Sequence, residues 1–303
     1  KVLDFKPHIT IDDGCDLISE IHLKRTELLD EVIGGTEETT TGVLRLRAME
    51  KDNALKCPVI AVNDNETKHL FDNYYGTGQS TFDGILRATN VLIAGKRVVV
   101  CGYGSCGKGV AVRAKGFGAN VCVVEVHPIR ALQAKMDGFD VMPIKQAVKD
   151  ADIIVTVTGN KHVVNKDHFS LLKDGVILAN SGHFDVEIDV ASLEKMAKSK
   201  RTIRPSLDEY VFGTKKVFVC GEGRLVNLAA AEGHPSEVMS LSFCGQALAA
   251  KWVAEKKLSA GVHVLPKEID ERIAHLQLKA LGVKIDTMSK EQEKYSKSWN
   301  EGT

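Results

Sequence analysis

Two stretches of the sequence hold residues whose types and spacing could do chemistry. The first is NDNETKHLFDN (63–73), which sets Lys68 four residues before Asp72. On a helix that spacing brings both side chains onto one face. Alone, such a pair is an ordinary surface ion pair worth roughly a few tenths of a kcal/mol; inside a closed cleft it is a base and its partner. The second is GYGSCGKG (102–109), with Gly102, Gly104 and Gly107 in G-x-G-x-x-G order.

That glycine pattern carries weight because of its setting. RVVVCGYG (97–104) reads as a strand entering a glycine turn, a helix follows over about 106–117, and NVCVVEV (120–126) reads as a second strand ending near Glu125. Strand, glycine turn, helix and an acidic residue about 20 positions on form the dinucleotide-binding fingerprint. The glycines let the backbone approach a pyrophosphate at the helix N-terminus, where oriented N–H groups favour anions. Glu125 suits the adenosine ribose hydroxyls and repels a 2′-phosphate, so NAD is expected rather than NADP.

The elements that position these residues follow from the alternation of apolar runs with helical patterns. PIRALQAKMDGF reads as a helix, while DIIVTVTGN (152–160), GVILANSGHFD (175–185) and KKVFVCGEG (215–223) read as strands. This rhythm argues for a parallel sheet covered on both faces. Before about residue 80 only CPVIAVND stands out as a strand. After EGHPSEVMSLSF a long amphipathic helix is expected, with Val238, Leu241, Leu248 and Trp252 near helical spacing.

Bulk composition narrows the class. The 303 residues suffice for two domains. Forty basic and 40 acidic side chains cancel, so neither nucleic acid nor a membrane surface is an expected partner. No apolar run approaches the ~20 residues that span a bilayer, and no signal peptide is visible. Seven scattered cysteines without a C-x-x-C pair fit a reducing cytoplasm and give no expectation of a metal site.

Five further stretches need explaining: IDDGCDL (11–17), GTEETTTG (35–42), TKHLFDN (67–73), NSGHFDVEID (180–189) and GRLVNLAAAEGHPS (223–236). Each has a structural reading. Asp12 and Asp13 fit a turn before Gly14, Glu37 and Glu38 a helix cap, and His183 a satisfied core histidine. Together, in this order and spacing, they closely resemble the S-adenosylhomocysteine hydrolase (adenosylhomocysteinase) family over nearly the whole chain.

The resemblance implies an α/β fold: a doubly wound parallel-sheet Rossmann NAD domain, an incomplete α/β substrate domain and a helical C-terminal tail. The expected divisions are 1–78 for part of the substrate domain and 79–233 for the NAD domain. Helices returning to the substrate domain would occupy 234–284, and the tail 285–303. It also implies tightly bound NAD, regenerated in each turnover. The ribose 3′-hydroxyl is oxidised, the C4′ proton is removed, homocysteine leaves C5′, water adds, and the ketone is reduced again. The substrate is S-adenosyl-L-homocysteine or its inosine analogue, and the products are adenosine or inosine and homocysteine.

Carried over by motif, Lys68 is the base at the 3′-hydroxyl, with Asp72 and Asn73 beside it. Asp13 is the acid/base group at C4′ and C5′, Glu38 holds the ribose hydroxyls, and His183 lies near the reacting ribose. Thr39, Thr40 and Thr41 contact the cofactor's nicotinamide and ribose. Asn180, Gly182 and Asn227 belong to the nicotinamide pocket, and His234 lies near the adenine. A lysine base working near neutrality needs its pKa lowered from about 10.4, and a neighbouring Asp72 opposes that.

Several features depart from the family pattern. Members carry a further N-terminal stretch, so the resemblance implies that one precedes Lys1. Thr77 stands where many members have a cysteine near the cofactor, so thiol sensitivity there is expected to be lost. The ending KYSKSWNEGT lacks the Lys/Tyr segment that many members insert into a neighbour's NAD site, a shorter tail seen in microbial members, and looser cofactor retention is expected. The family forms tetramers, and Ile269, Ile273, Leu276, Leu278, Leu281 and Val283 could cover another surface. Two readings compete: a 2-hydroxy-acid dehydrogenase, which leaves EETTTG and the Lys68 cluster without purpose, and a non-catalytic NAD-binding regulator of the same fold.

Overall fold

The computed structural model describes residues 1–300; the last three residues of the expected tail lie outside them. Twelve strands among the described residues form two sheets. The larger has the order β6-β5-β4-β7-β8-β11-β10-β9. It comprises β4 (Arg97–Cys101), β5 (Asn120–Val124), β6 (Asp140–Val141), β7 (Ile153–Thr156), β8 (Val176–Asn180), β9 (Ser199–Arg204), β10 (Leu207–Phe212) and β11 (Lys215–Cys220). The first six in spatial order are parallel, and β10 is antiparallel to both its neighbours.

The continuous apolar runs of these strands have a direct cause. Val98 and Val100 point into a core with Phe82, Ile85 and Val110. Val99 and Cys101 point the other way, into a second core with Phe169, Leu172 and Leu193. With helices on both faces, neither side of the strand can be polar. Beyond the parallel strands, β9 has an exposed residue at every position. That polar stretch, SKRTIR, is why the antiparallel edge was not expected from apolar runs.

The smaller sheet, β1-β2-β3-β12, is parallel throughout. It comprises β1 (Ile9–Asp12), β2 (Gly34–Glu37), β3 (Pro58–Ala61) and β12 (Gly261–His263). The N-terminal region thus holds three strands where one was expected. The cause is β2: its sequence GGTE has low strand propensity, yet all four residues are buried. Strand β12 comes from the far end of the chain and pairs with β3, returning the C-terminal region to this sheet.

The helices that position functional groups are α1 (Asp16–Leu23), α2 (Thr40–Lys51), α3 (Glu66–His69), α4 (Thr77–Thr89) and α5 (Ser105–Gly116). The expected long helix runs Ser236–Glu255. Its buried line is Leu241, Gly245, Ala249 and Val253, with Ser242 and Gln246 beside it. Val238, Leu248 and Trp252 flank that line, only half-buried. The helix Lys267–Ala280 buries Ile273 and leaves Leu276 exposed; Leu281 and Val283 beyond it are exposed too. Among the described residues no helix is long and apolar enough to cross a membrane.

Candidate active site

The site grows from four loops at the carboxyl ends of strands. Asp12 ends β1 and turns its own carboxylate inward, accepting the Leu17 and Ile18 N–H groups at 2.9 and 3.1 Å. It therefore caps α1, while its neighbour Asp13 projects outward. Glu37 ends β2 and accepts N–H bonds from Gly14, Cys15 and Thr39 at 2.9, 2.8 and 3.0 Å. One buried carboxylate thereby ties the Asp13 loop to the Glu38–Thr41 loop. Burial pushes its pKa up to about 7 against the pull of those N–H groups.

Lys68 lies on α3, and its partners arrive through a π-helical turn, Asp72–Gly76, that separates α3 from α4. Such turns commonly mark functional sites. The turn carries Asp72 and Asn73 back over the lysine. Lys68 Nζ donates to Asn73 Oδ1 at 2.6 Å and faces Asp72 Oδ2 at 3.2 Å and Glu38 Oε1 at 3.5 Å. All three partners were expected near it. Asn63, which was not, accepts from Asn73 Nδ2 at 3.0 Å and from Thr40 Oγ1 at 3.1 Å.

The long helix completes this cluster from above. Ser242 Oγ donates to Asp72 Oδ2 at 2.8 Å, and Gln246 Nε2 bonds Glu38 Oε2. The signal for both was present: two polar residues four apart beside the buried apolar line of a helix. His234 Nδ1 bonds Asp72 Oδ1, so the structure joins His234 to the lysine cluster. Its expected neighbour, an adenine, is a separate matter.

Electrostatics fixes the resting charges. Burial pulls the Lys68 pKa down, but the Asp72 and Glu38 carboxylates outweigh it and hold the ammonium above its ordinary range. Burial also opposes charge on Asp72, yet His234, Lys68 and Ser242 keep its carboxyl well below the usual range. Glu38 goes the other way, raised chiefly by burial. Of the three, Glu38 is the group readiest to take up a proton.

This cluster abuts the glycine-rich helix. A Cβ on Gly109, the last glycine of GYGSCGKG, would lie 1.9 Å from the Tyr74 carbonyl oxygen in the π-helical turn. Only glycine permits that approach, and sequence reasoning stopped one glycine short of it. Across the same junction Thr77 Oγ1 is 3.5 Å from Cys106 Sγ and 3.5 Å from His234 Nε2. Cys106, on α5, thus brings a sulfur beside Thr77.

The glycine turn fits a dinucleotide. Gly102 has a φ of +107°, and a Cβ on Gly107 would sit 2.1 Å from the Gly102 carbonyl oxygen, so the helix packs hard on the strand. A Cβ on Gly104 would meet nothing nearer than 3.9 Å, which leaves space above the N-terminus of α5 for a pyrophosphate. Glu125 accepts N–H bonds from Tyr103, Val126 and His127. Burial opposes its charge, but those bonds prevail and keep it ionised for ribose hydroxyls. At the other end Asn227 donates to Ser80 Oγ at 3.1 Å, while its buried Oδ1 has no partner and suits a carboxamide N–H. Thr41 Oγ1 lies 3.5 Å from where a Gly159 Cβ would stand, beyond the end of β7.

Two expected cofactor residues also have a local structural task. Asn180 Oδ1 accepts from Thr156 Oγ1 and the Gly182 N–H. Its Nδ2 donates to the carbonyls of Gly182, Phe184 and Gly223. The amide is fully engaged in tying the His183 loop to the end of β8 and to the 221–223 turn. Gly182 packs on Glu187, whose Oε1 would be 1.8 Å from a Cβ there. His183 itself faces Asp13, Nδ1 to Oδ1 at 3.8 Å. Among the described residues no group of three or more His, Cys, Asp or Glu could hold a metal ion.

Comparison with known proteins adds identity to this geometry. Residues 73–233 match the family model for the S-adenosyl-L-homocysteine hydrolase NAD-binding domain. Among solved structures, the dipicolinate synthase A chain from Bacillus subtilis is 18% identical with a TM-score of 0.50, covering 76% of this chain and 68% of that one, a likeness of fold. An S-inosyl-L-homocysteine hydrolase from Methanocaldococcus jannaschii is 60% identical across 100% of this chain and 74% of its own length. An adenosylhomocysteinase from Aquifex aeolicus is 57% identical across 100% of this chain and 73% of its own. With identity at that level over the whole chain and the match of residues 73–233, the chain belongs to the S-adenosyl-L-homocysteine hydrolase family.

Proposed function

We propose that this protein hydrolyses the thioether of S-adenosyl- or S-inosyl-L-homocysteine to the nucleoside and L-homocysteine, with NAD as a cofactor restored in each turnover. The observation that carries the reading is the junction at Gly109. There the Asp72–Gly76 turn, which carries the hydrogen-bonding partners of the buried Lys68, packs on the helix that follows the glycine turn. A 2-hydroxy-acid dehydrogenase has no use for that cluster.

The chemistry NAD supplies when bound is reversible hydride exchange at the ribose 3′ carbon, which acidifies the neighbouring C4′ proton while the ketone lasts. Lys68 takes the proton of the 3′-hydroxyl and later returns it. Asp72 and Asn73 hold the lysine amine in place, and Glu38, oriented by Gln246, accepts from the ribose hydroxyls. Asp13 moves the proton at C4′ and serves the leaving sulfur at C5′, with His183 beside it. Thr39, Thr40, Thr41 and Asn227 line the nicotinamide end, and Glu125 the adenosine end. Residues 1–78 and 234–284 act as the substrate-binding unit and 79–233 as the cofactor unit, a division supported by β12 pairing with β3. The working form is a cytoplasmic homotetramer, for which the exposed Leu276, Leu281 and Val283 offer apolar surface.

The test supplies each thioether nucleoside separately and follows thiol release together with absorbance of reduced cofactor. Thiol without net reduced cofactor is the expected result, and the faster substrate identifies the purine. Stoichiometric reduced cofactor, or silence with both substrates, refutes the reading.

A further inference from the structure

Glu187 is a buried acid that the chemistry proposed above leaves without a task; it is 1% exposed. It sits on the segment 186–188, which runs beside 162–164. There the His162 and Val164 N–H groups donate to the Val186 and Glu187 carbonyls at 2.8 and 3.1 Å. Its side chain reaches the loop beyond β7. The Thr158 N–H and hydroxyl both donate to Oε2 at 2.9 Å, and the Gly159 N–H donates to Oε1 at 2.7 Å. Two successive N–H groups aimed at one carboxylate form a small anion-binding concavity. Gly159 is left-handed there, with a φ of 71°. Both Glu187 oxygens accept and neither donates, the pattern of an ionised carboxylate.

This carboxylate has no counter-ion. Burial pushes its pKa up against the pull of the Thr158 and Gly159 donors, and among the described residues no lysine, arginine or histidine pairs with it. Asp72, the buried acid of the lysine cluster, is by contrast matched by Lys68 and His234. Gly182 closes the remaining side of Glu187, where a Cβ would lie 1.8 Å from Oε1. A buried charge left in this state is costly unless an opposite charge arrives.

The loop that Glu187 holds borders the cofactor crevice. A Cβ on Gly102, in the glycine turn, would sit 2.7 Å from the Val157 carbonyl oxygen and 3.3 Å from the Thr158 Cα. On its other side the loop meets Thr41, assigned above to the nicotinamide end, through Gly159. Strands β4 and β7, which carry the glycine turn and this loop, are the neighbours at which the strand order reverses, the place where dinucleotides bind. We propose that Glu187 is the fixed counter-charge of the oxidised nicotinamide ring and sets the balance between NAD⁺ and NADH on the protein. The ring is a cation in NAD⁺ and neutral in NADH. A buried negative charge therefore favours the oxidised form, and in a poorly solvated crevice its effect reaches over several ångströms. This deepens the function proposed above, in which the ring must be oxidised at the start and the end of every turnover.

Calorimetric titration of the full chain with NAD⁺ and with NADH tests this. The ratio of Kd for NADH to Kd for NAD⁺ is expected to fall about tenfold in Glu187→Gln, which keeps the shape and loses the charge. Glu187→Asp keeps the charge, so its ratio should stay within about threefold of the wild type even where both affinities weaken. A ratio unchanged in Glu187→Gln, or lowered equally in both variants, overturns the proposal and leaves the carboxylate a loop anchor. Where Glu187→Gln fails to fold, the wild type titrated with benzamide adenine dinucleotide, a neutral-ringed analogue of NAD⁺, takes its place. Binding about tenfold weaker than that of NAD⁺ is then expected, and equal affinity overturns the proposal. A ratio that falls as expected in a protein whose wild type releases no thiol keeps the counter-charge and refutes the function. Failure of the wild type to bind either form of the cofactor overturns both.

Discussion

Asp72 Oδ2 lies 3.2 Å from Lys68 Nζ with both side chains buried, and its other oxygen is bonded to His234. The pair is therefore no surface contact, and Asp72 helps to hold the charge of the lysine proposed as the base. In Asp72→Asn the lysine loses the larger of the two charges that raise its pKa. The acidic limb of the pH profile for nucleoside-dependent cofactor reduction is expected to move to lower pH. The maximal rate should fall by about tenfold or more, because Lys68 and His234 both lose their anchor. Stopped-flow absorbance across pH measures both; an unmoved or upward-shifted limb refutes this control.

The glycine turn separates cofactor binding from folding. Gly104 faces open space, so Gly104→Ala is expected to keep the melting temperature of the cofactor-free protein while weakening NAD by about tenfold or more. Gly107→Ala drives a methyl into the Gly102 carbonyl and should lower stability by about 2–4 kcal/mol as well. Calorimetric titration with NAD and thermal melts of both variants decide it. Equal stability losses would mean that Gly104 is merely structural.

How far the sequence shows this site depends on which physical signal each part leaves. The strands at Arg97–Cys101 and Ile153–Thr156 are apolar on both faces because helices cover both, and that pattern is visible in one dimension. Strand β2 leaves no such trace, since its glycines are there for close approach: a Cβ on Gly35 would meet Thr10 Oγ1 at 2.5 Å. The Lys68–Asp72 pair is local in sequence and could be seen. Ser242, Gln246 and His234 reach the same cluster from more than 160 positions away, and only the fold says which face of the long helix turns toward it. The role of Asn180 is open in the sequence for a related reason: an amide suited to a cofactor is equally suited to pinning backbone carbonyls.

Another distant contact bears on Lys68. Asp270, on the helix Lys267–Ala280, accepts the Glu66 N–H at 2.7 Å, the Thr67 N–H at 3.3 Å and the Thr67 hydroxyl. It caps α3 in place of Asn65, whose buried amide has no partner. Asp270→Ala is expected to cost about 1–2 kcal/mol and to slow cofactor reduction by nucleoside, since α3 carries the lysine, with NAD affinity unchanged. Asp270→Asn, which keeps one acceptor, should recover part of both. A variant that is destabilised yet reduces cofactor at the wild-type rate would show that the cap does not position Lys68.

Glu37 makes the fold itself sensitive to pH. In the unfolded chain its carboxyl titrates near 4.5, whereas in the fold burial pushes it up to about 7. The folded state thus binds the proton more tightly, and stability is lost as pH rises through that window, by on the order of 3 kcal/mol in all. The loss is the desolvation of the ionised carboxylate, which the N–H groups of Gly14, Cys15 and Thr39 offset only in part. Glu37→Gln cannot titrate. Whatever its absolute stability, the slope of melting temperature between about pH 5 and 8 is expected to flatten relative to the parent. Identical slopes in the two proteins would mean that the three N–H bonds, rather than burial, set the charge of Glu37.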